Sequence, residues 1–164
     1  MNWEAIGAIG DFVGGIAVIL TLAFLAFQIF QNTKATKAGT VASYMQAYGA
    51  VASRIASTTE MARLIRLGHA DPKSLSLDEA HQFFAHLSEF MVLWESLWRM
   101  KEAGQVEKDH WQTVREDIVA TLSSAGGQQY LESVLPIYTK NMPAFSKELQ
   151  ACLEEQPVFR NHIT

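Results

Sequence analysis

One continuous apolar stretch lies near the start of the chain. Residues 12–30 include no charged side chain, and roughly twenty apolar residues in an α-helix cross a hydrocarbon core of about 30 Å. A core helix of a soluble protein rarely stays apolar on every side for so long. A cleaved signal peptide begins with basic residues, whereas Glu4 and Asp11 precede this stretch. The pattern therefore predicts a transmembrane anchor over residues 1–33.

The charges beside this stretch predict its orientation. No Lys or Arg precedes it, while Lys34 and Lys37 follow it directly, and basic residues favour the cytoplasmic side of a membrane. Trp3 has the position of an aromatic anchor at the lipid headgroups. We therefore expect a single-pass protein whose C-terminal part is cytoplasmic.

Small residues recur along one face of the predicted span, namely Gly7, Gly10, Gly14 and Ala17. Such a face lets two helix backbones approach closely in lipid, so it predicts helix packing against a second copy or another membrane protein. Glycine is also common in membrane helices in general, and that alternative stays open. Asp11 lies beside this face, either as a pore-lining carboxylate or as an interfacial carboxylate that reaches headgroup water.

The helix is expected to continue past the membrane, because residues 31–57 contain no proline. Apolar residues recur there at intervals of three and four, which predicts a face that packs on a neighbour in the same chain or in a second copy. This face consists of Ala38, Val41, Met45, Tyr48, Ala52 and Ile55.

Helical periodicity divides the remainder into further helices, predicted at 59–68, 77–104, 108–123, 128–135 and 142–155. Ser76 and Glu79 predict a capping box at the start of the second of these. The residues expected to end helices are Gly68, Gly104, Gly126, Gly127, Pro136 and Pro157. Because no strand pattern appears, the sequence predicts an all-α fold in which an N-terminal transmembrane helix continues into an irregular helical bundle. The bundle is a cytoplasmic domain over residues 34–156, and a loose tail follows at 157–164.

Composition narrows the range of partners. The chain has a net charge of −4 and its Lys and Arg residues are scattered, which is unlike a surface that binds nucleic acid. Membrane lipid is the first expected partner. Cys152 is the single cysteine, so no internal disulfide can form. It lies in a predicted amphipathic helix whose acidic residues would raise the pKa of its thiol, so we expect a small core residue rather than a nucleophile.

Two groups of side chains have spacings that occur at metal sites. Glu107 and His110 match Glu-x-x-His, although a helix start also favours acidic residues electrostatically. His81, His86 and Glu89 follow one helix, where the alternative is a set of exposed polar side chains opposite its aromatic face. In both groups we prefer the structural explanation to a metal site. Glu107, His110, His81, His86 and Glu89 therefore remain weak metal candidates. The sequence predicts no catalytic residue and no cofactor.

Four segments share a pattern with other small proteins: EAIGAIG at 4–10, QIFQNTKATKAGT at 28–40, ARLIRLGHADPKSLS at 62–76 and SSAGGQQYLE at 123–132. They resemble a family of small bacterial proteins, mostly of unknown function, that begin with a membrane helix. Phe30 and Tyr130 depart from the family pattern, where a basic residue and a tryptophan are usual. The resemblance implies an inner-membrane anchor with a helical cytoplasmic domain, and it brings no reaction or cofactor.

Three functions are compatible with these features. The preferred hypothesis is an accessory or scaffold protein that acts through protein–protein association, by forming a homo-oligomer or by binding another membrane protein. The first alternative is a homo-oligomeric channel with Asp11 at its mouth. The second is a metal-binding enzyme or sensor.

Overall fold

The computed structural model describes residues 2–155, apart from the side chains of Ala5 and Ile6. Within these residues the fold is all-α, as predicted, with no strand. The helices are α1 (Trp3–Ser57), α2 (Thr59–Ala70), α3 (Leu77–Glu102), α4 (Lys108–Leu122), α5 (Ala125–Asn141) and α6 (Pro143–Glu155), and Pro72–Ser74 form a 3-10 helix. They belong to two compact units, residues 1–39 and residues 40–164. The predicted tail at 157–164, with Pro157, lies outside the described residues.

Helix α1 stays helical well beyond Phe30, which confirms the predicted continuation to residue 57. No proline interrupts it, and its acidic Glu4 and basic Arg54 are placed favourably for the helix dipole. In the first unit, every side chain from residue 7 to residue 36 is exposed. Over residues 7–36, α1 therefore packs against no other described element.

The part of α1 in the second unit packs through a face that overlaps with the predicted one. Tyr44 and Val51 are buried and Tyr48 and Ile55 pack against the core, whereas Met45 is 52% exposed. The inclusion of Met45 and of the exposed Ala38 was therefore wrong, although packing within the same chain is confirmed. Residues 44, 48, 51 and 55 also recur at intervals of three and four, and they share Tyr48 and Ile55 with the predicted set; the two residues that the prediction missed are Tyr44 and Val51.

The core of the second unit is built around α3. The predicted capping box is present, because Ser76 Oγ accepts from the Glu79 N–H and the Glu79 carboxylate accepts from the Ser76 N–H. Trp94 and Phe83 of this helix are fully buried. At about 25 cal/mol per Å², burying an aromatic side chain of this size contributes roughly 4–6 kcal/mol. Gly104, with φ of 70°, follows the helix as predicted.

Three other glycines do not end helices, so those predictions were wrong. Gly68 lies inside α2, and Gly126 and Gly127 lie in the first turn of α5. A Cβ on Gly68 would collide with the Phe83 ring, and one on Gly126 would collide with the Gly68 carbonyl. Gly68 and Gly126 are therefore required where α2, α3 and α5 approach one another closely, and a Cβ on Gly127 would collide with the Thr121 carbonyl of α4.

Pro136 does not end α5, which continues to Asn141. Pro136 is exposed, so water can satisfy the carbonyl that loses its N–H partner. Beyond the proline, Tyr138 packs on Phe145 of α6 with ring centres 5.6 Å apart, which holds the last turn of α5 in place. Helix α6 starts at Pro143, where the missing N–H is not needed.

Candidate functional site

Large apolar side chains are exposed on all sides of α1 in the first unit. They are Trp3, Ile9, Phe12, Val13, Ile16, Val18, Ile19, Leu20, Leu22, Phe24, Leu25, Phe27, Ile29 and Phe30. Soluble monomers rarely expose a contiguous apolar patch larger than a few hundred Å². Among the described residues, α1 is the one helix that is long and apolar enough to cross a membrane.

The predicted helix-packing residues lie on this exposed helix. A Cβ added to Gly7, Gly10 or Gly14 would meet nothing within 4 Å. Ala17 is exposed as well, and its carbonyl accepts a hydrogen bond from Thr21 Oγ1 at 2.8 Å. The face is therefore accessible to another helix, and its pairing stays a prediction.

Asp11 is exposed on α1, one residue after Gly10. An exposed carboxylate here is compatible with an interfacial position and with a pore mouth. Its role stays a prediction.

The side chains of the first pair of metal candidates, Glu107 and His110, lie in different surroundings. Glu107 is exposed at the N-cap of α4, whereas the Nε2 atom of His110 is buried. Among the described residues, no three His, Cys, Asp or Glu side chains are grouped so that they could hold a metal ion.

The second set of metal candidates faces different surroundings along α3. His81 is exposed, but His86 is only 9% exposed, so its interpretation as an exposed polar residue was wrong. The His86 ring packs edge-on against the Phe90 ring, with ring centres 5.0 Å apart. Burial lowers the pKa of His86. Glu89 makes a bidentate ion pair with Arg54 of α1, with one bond at 2.7 Å. The pair joins α1 to α3 inside the second unit.

A polar cluster joins three helices in the core of the second unit. Asp117 of α4 accepts hydrogen bonds from Trp94 Nε1 at 3.0 Å and from Tyr48 Oη at 3.3 Å. Tyr44, one turn before Tyr48, packs edge-on against His110 with ring centres 6.4 Å apart. We call Tyr44, Tyr48, Trp94, His110 and Asp117 the Asp117 cluster.

Burial controls protonation in the Asp117 cluster. Burial raises the pKa of Asp117, and the hydrogen bonds from Trp94 and Tyr48 oppose this rise. Burial also raises the pKa of Tyr44 and of Tyr48, and the nearby Asp117 carboxylate adds to both shifts. Both tyrosines therefore keep their protons at neutral pH, and Tyr48 donates its proton to Asp117 in a hydrogen bond.

Sequence reasoning missed the Asp117 cluster. Asp117 lies next to Ile118 and three residues after Val114, both of which are buried in α4. A charged residue beside the apolar face of a predicted helix was therefore the one feature of the sequence that pointed to Asp117. Which groups it would meet depends on how α1, α3 and α4 pack, and no local pattern reports that.

A second polar contact lies where α2 meets α5. Ser124 Oγ donates to the Thr121 carbonyl at 2.8 Å and accepts from the Gly127 N–H at 3.0 Å. His69 Nδ1 lies 2.8 Å from the same oxygen. Because the hydroxyl proton of Ser124 is already committed, His69 donates from Nδ1. This contact brings together two of the segments that carry the family resemblance.

Cys152 is 1% exposed in α6, which confirms its interpretation as a core residue. Burial raises the pKa of its thiol to about 11. The thiol is therefore protonated at neutral pH and unsuited to nucleophilic chemistry.

Comparisons with protein-family models, with curated proteins and with solved structures find no match for this chain. Over residues 2–155, the fold is all-α and contains one helix that could span a membrane. The family resemblance stays a prediction.

Proposed function

We propose that the chain is a single-pass protein of the bacterial inner membrane that acts by protein–protein association through its anchor and its helical cytoplasmic domain. One observation carries the proposal: the side chains of α1 between residues 7 and 36 are exposed, and most of them are apolar. Lipid is the solvent in which such a surface is stable.

Two further features support the association. The glycine face of α1 is open, so a second copy can pack against it at close range. In the second unit, three side chains with reactive or charged groups have structural roles: Glu89 pairs with Arg54, Cys152 is buried in the core, and Asp117 accepts hydrogen bonds from Trp94 and Tyr48. These roles favour an accessory or scaffold protein over a catalyst.

Orientation can be measured with cysteines placed on either side of the span. The two variants are Asn2→Cys and Lys73→Cys, at exposed positions, and the unmodified chain, with its buried Cys152, serves as the background control. A membrane-impermeant maleimide should label Asn2→Cys in intact spheroplasts and Lys73→Cys only after the membrane is permeabilised. Labelling of Lys73→Cys in intact spheroplasts would contradict the cytoplasmic location.

Self-association can be measured with a matched pair of glycine variants in mild detergent. Gly14→Leu fills the glycine face, whereas Gly15→Leu adds the same side chain one residue away, and both positions are open in the structure. Mass photometry or native electrophoresis should show a homo-oligomer that Gly14→Leu weakens and Gly15→Leu leaves intact. A strictly monomeric wild-type chain would contradict the homo-oligomer.

A further inference from the structure

The Asp117 cluster contains two buried polar atoms without a partner. Tyr44 is 7% exposed, and neither its Oη atom nor Nε2 of His110 has a hydrogen-bond partner among the described residues. An unsatisfied buried donor or acceptor costs about 1–3 kcal/mol, and native proteins contain few of them. Here the two atoms belong to rings that pack in a T-shaped contact with ring centres 6.4 Å apart, so one occupant could satisfy both.

A direct bond between the two rings does not provide the missing partners. The ring planes are inclined at 82° and the ring centres lie 6.4 Å apart, and the two polar atoms make no hydrogen bond with each other. Tyr48 is already committed to Asp117. The missing partner therefore has to come from outside the described side chains.

The surroundings restrict the chemistry of that partner. An anion is disfavoured because the Asp117 carboxylate lies close enough to raise the pKa of Tyr44 beyond the effect of burial alone. A metal ion is disfavoured because the described residues supply no group of three His, Cys, Asp or Glu ligands. An apolar guest would leave both atoms unsatisfied. A small neutral molecule that both donates and accepts hydrogen bonds meets every requirement.

We infer that Tyr44 Oη and His110 Nε2 share one buried water molecule, which bridges α1 to α4. Water can accept a hydrogen bond from the Tyr44 hydroxyl and can either donate to or accept from His110 Nε2, and it retains further donor and acceptor capacity. The bridge adds a site to this region that is independent of the proposed membrane function. It fixes the second-unit part of α1 to the bundle through a polar contact, beside the Tyr48–Asp117 bond.

Thermal unfolding of the full-length chain in mild detergent tests the bridge through a double-mutant cycle. The variants are Tyr44→Phe, His110→Leu and the pair combined, with the half-buried Tyr138→Phe as a control for the loss of a tyrosine hydroxyl. With a bridging water, each single substitution leaves polar atoms unsatisfied and should lower Tm by about 3–6 °C. The combined variant should lower Tm by clearly less than the sum, because no polar atom then remains unsatisfied.

Without a bridge, Tyr44→Phe removes an unsatisfied buried hydroxyl and should leave Tm unchanged or raise it. That result, or strictly additive shifts, would overturn the inference. A crystal structure of the wild-type chain at a resolution that shows ordered waters gives a second readout that needs no variant. Electron density for a water in hydrogen-bonding distance of both atoms supports the bridge, and an empty or apolar contact there refutes it.

Discussion

The contact between α2 and α5 predicts that one type of substitution has opposite effects at two helical glycines. At Gly126, a Cβ would collide with the Gly68 carbonyl oxygen and with the Phe83 ring. Gly49 is also helical, but a Cβ there would meet nothing within 4 Å. Gly126→Ala and Gly49→Ala therefore add the same methyl group to a closed and to an open position.

The magnitudes follow from packing and helix propensity. Overpacking typically costs about 1–3 kcal/mol, and the cost at Gly126 should be at the upper end because the nearest obstacle is backbone, which moves less easily than a side chain. Alanine recovers up to about 1 kcal/mol of helix propensity. We expect Gly126→Ala to lower the free energy of unfolding by about 1–2 kcal/mol and Gly49→Ala to raise it by about 0.5–1 kcal/mol.

Thermal unfolding followed by circular dichroism, with both variants in the same detergent, measures the difference. Gly126→Ala should lower Tm by several degrees and Gly49→Ala should raise it by a few. A Gly126→Ala protein as stable as the wild type would show that α2 and α5 do not approach as closely as the structure has them.

Three other substitutions test the second unit. Asp117→Ala removes the acceptor of Trp94 and Tyr48 and should lower the free energy of unfolding by about 2–4 kcal/mol in chemical denaturation; a loss below about 0.5 kcal/mol would contradict the two hydrogen bonds. Burial lowers the pKa of His69 below the unfolded value of 6.5, so the unfolded state binds the proton more tightly and stability should fall as the pH drops below 6.5. His69→Gln should flatten that dependence below about pH 6.5, and a profile identical to the wild type would refute the assignment. Pro136→Ala restores a backbone hydrogen bond on an exposed helix face and should raise the free energy of unfolding by about 1–2 kcal/mol, whereas a loss would show that the proline is needed.

Features governed by neighbouring residues could be predicted from the sequence. The capping box at Ser76 and Glu79, the left-handed Gly104 and the continuation of α1 past Phe30 each depend on a few consecutive residues or on the absence of proline. Such signals act through the backbone of one helix, so they remain valid whatever the helix packs against.

Features governed by packing between helices could not be predicted in the same way. Glycine is typical of helix ends, so Gly68 and Gly126 were expected there. In the structure, the absence of their side chains allows two helices to meet. The packing face of α1 includes Tyr44 and Val51 and leaves Met45 exposed. In each case the deciding contact lies on another helix.

The candidate sites show the same division. Exposure of Gly7, Gly10 and Gly14 agrees with a face that is free for pairing, but their partner lies outside a single chain. The residues of the Asp117 cluster belong to three helices. From the sequence, only the position of the charged Asp117 beside an apolar helix face could be recognised. The unsatisfied atoms of the cluster, on Tyr44 and His110, required the tertiary structure.

Membrane integration of α1 is tested most directly by fractionating cells that express the full-length chain. The chain should sediment with membranes, resist extraction by alkaline carbonate and enter the supernatant only with detergent. A matched variant with Ile19→Asp and Leu20→Asp, which adds about 2.5–3.5 kcal/mol per charge at the centre of the span, should lose this behaviour. Recovery of the wild-type chain in the high-speed supernatant without detergent would contradict the integration of α1 into the membrane.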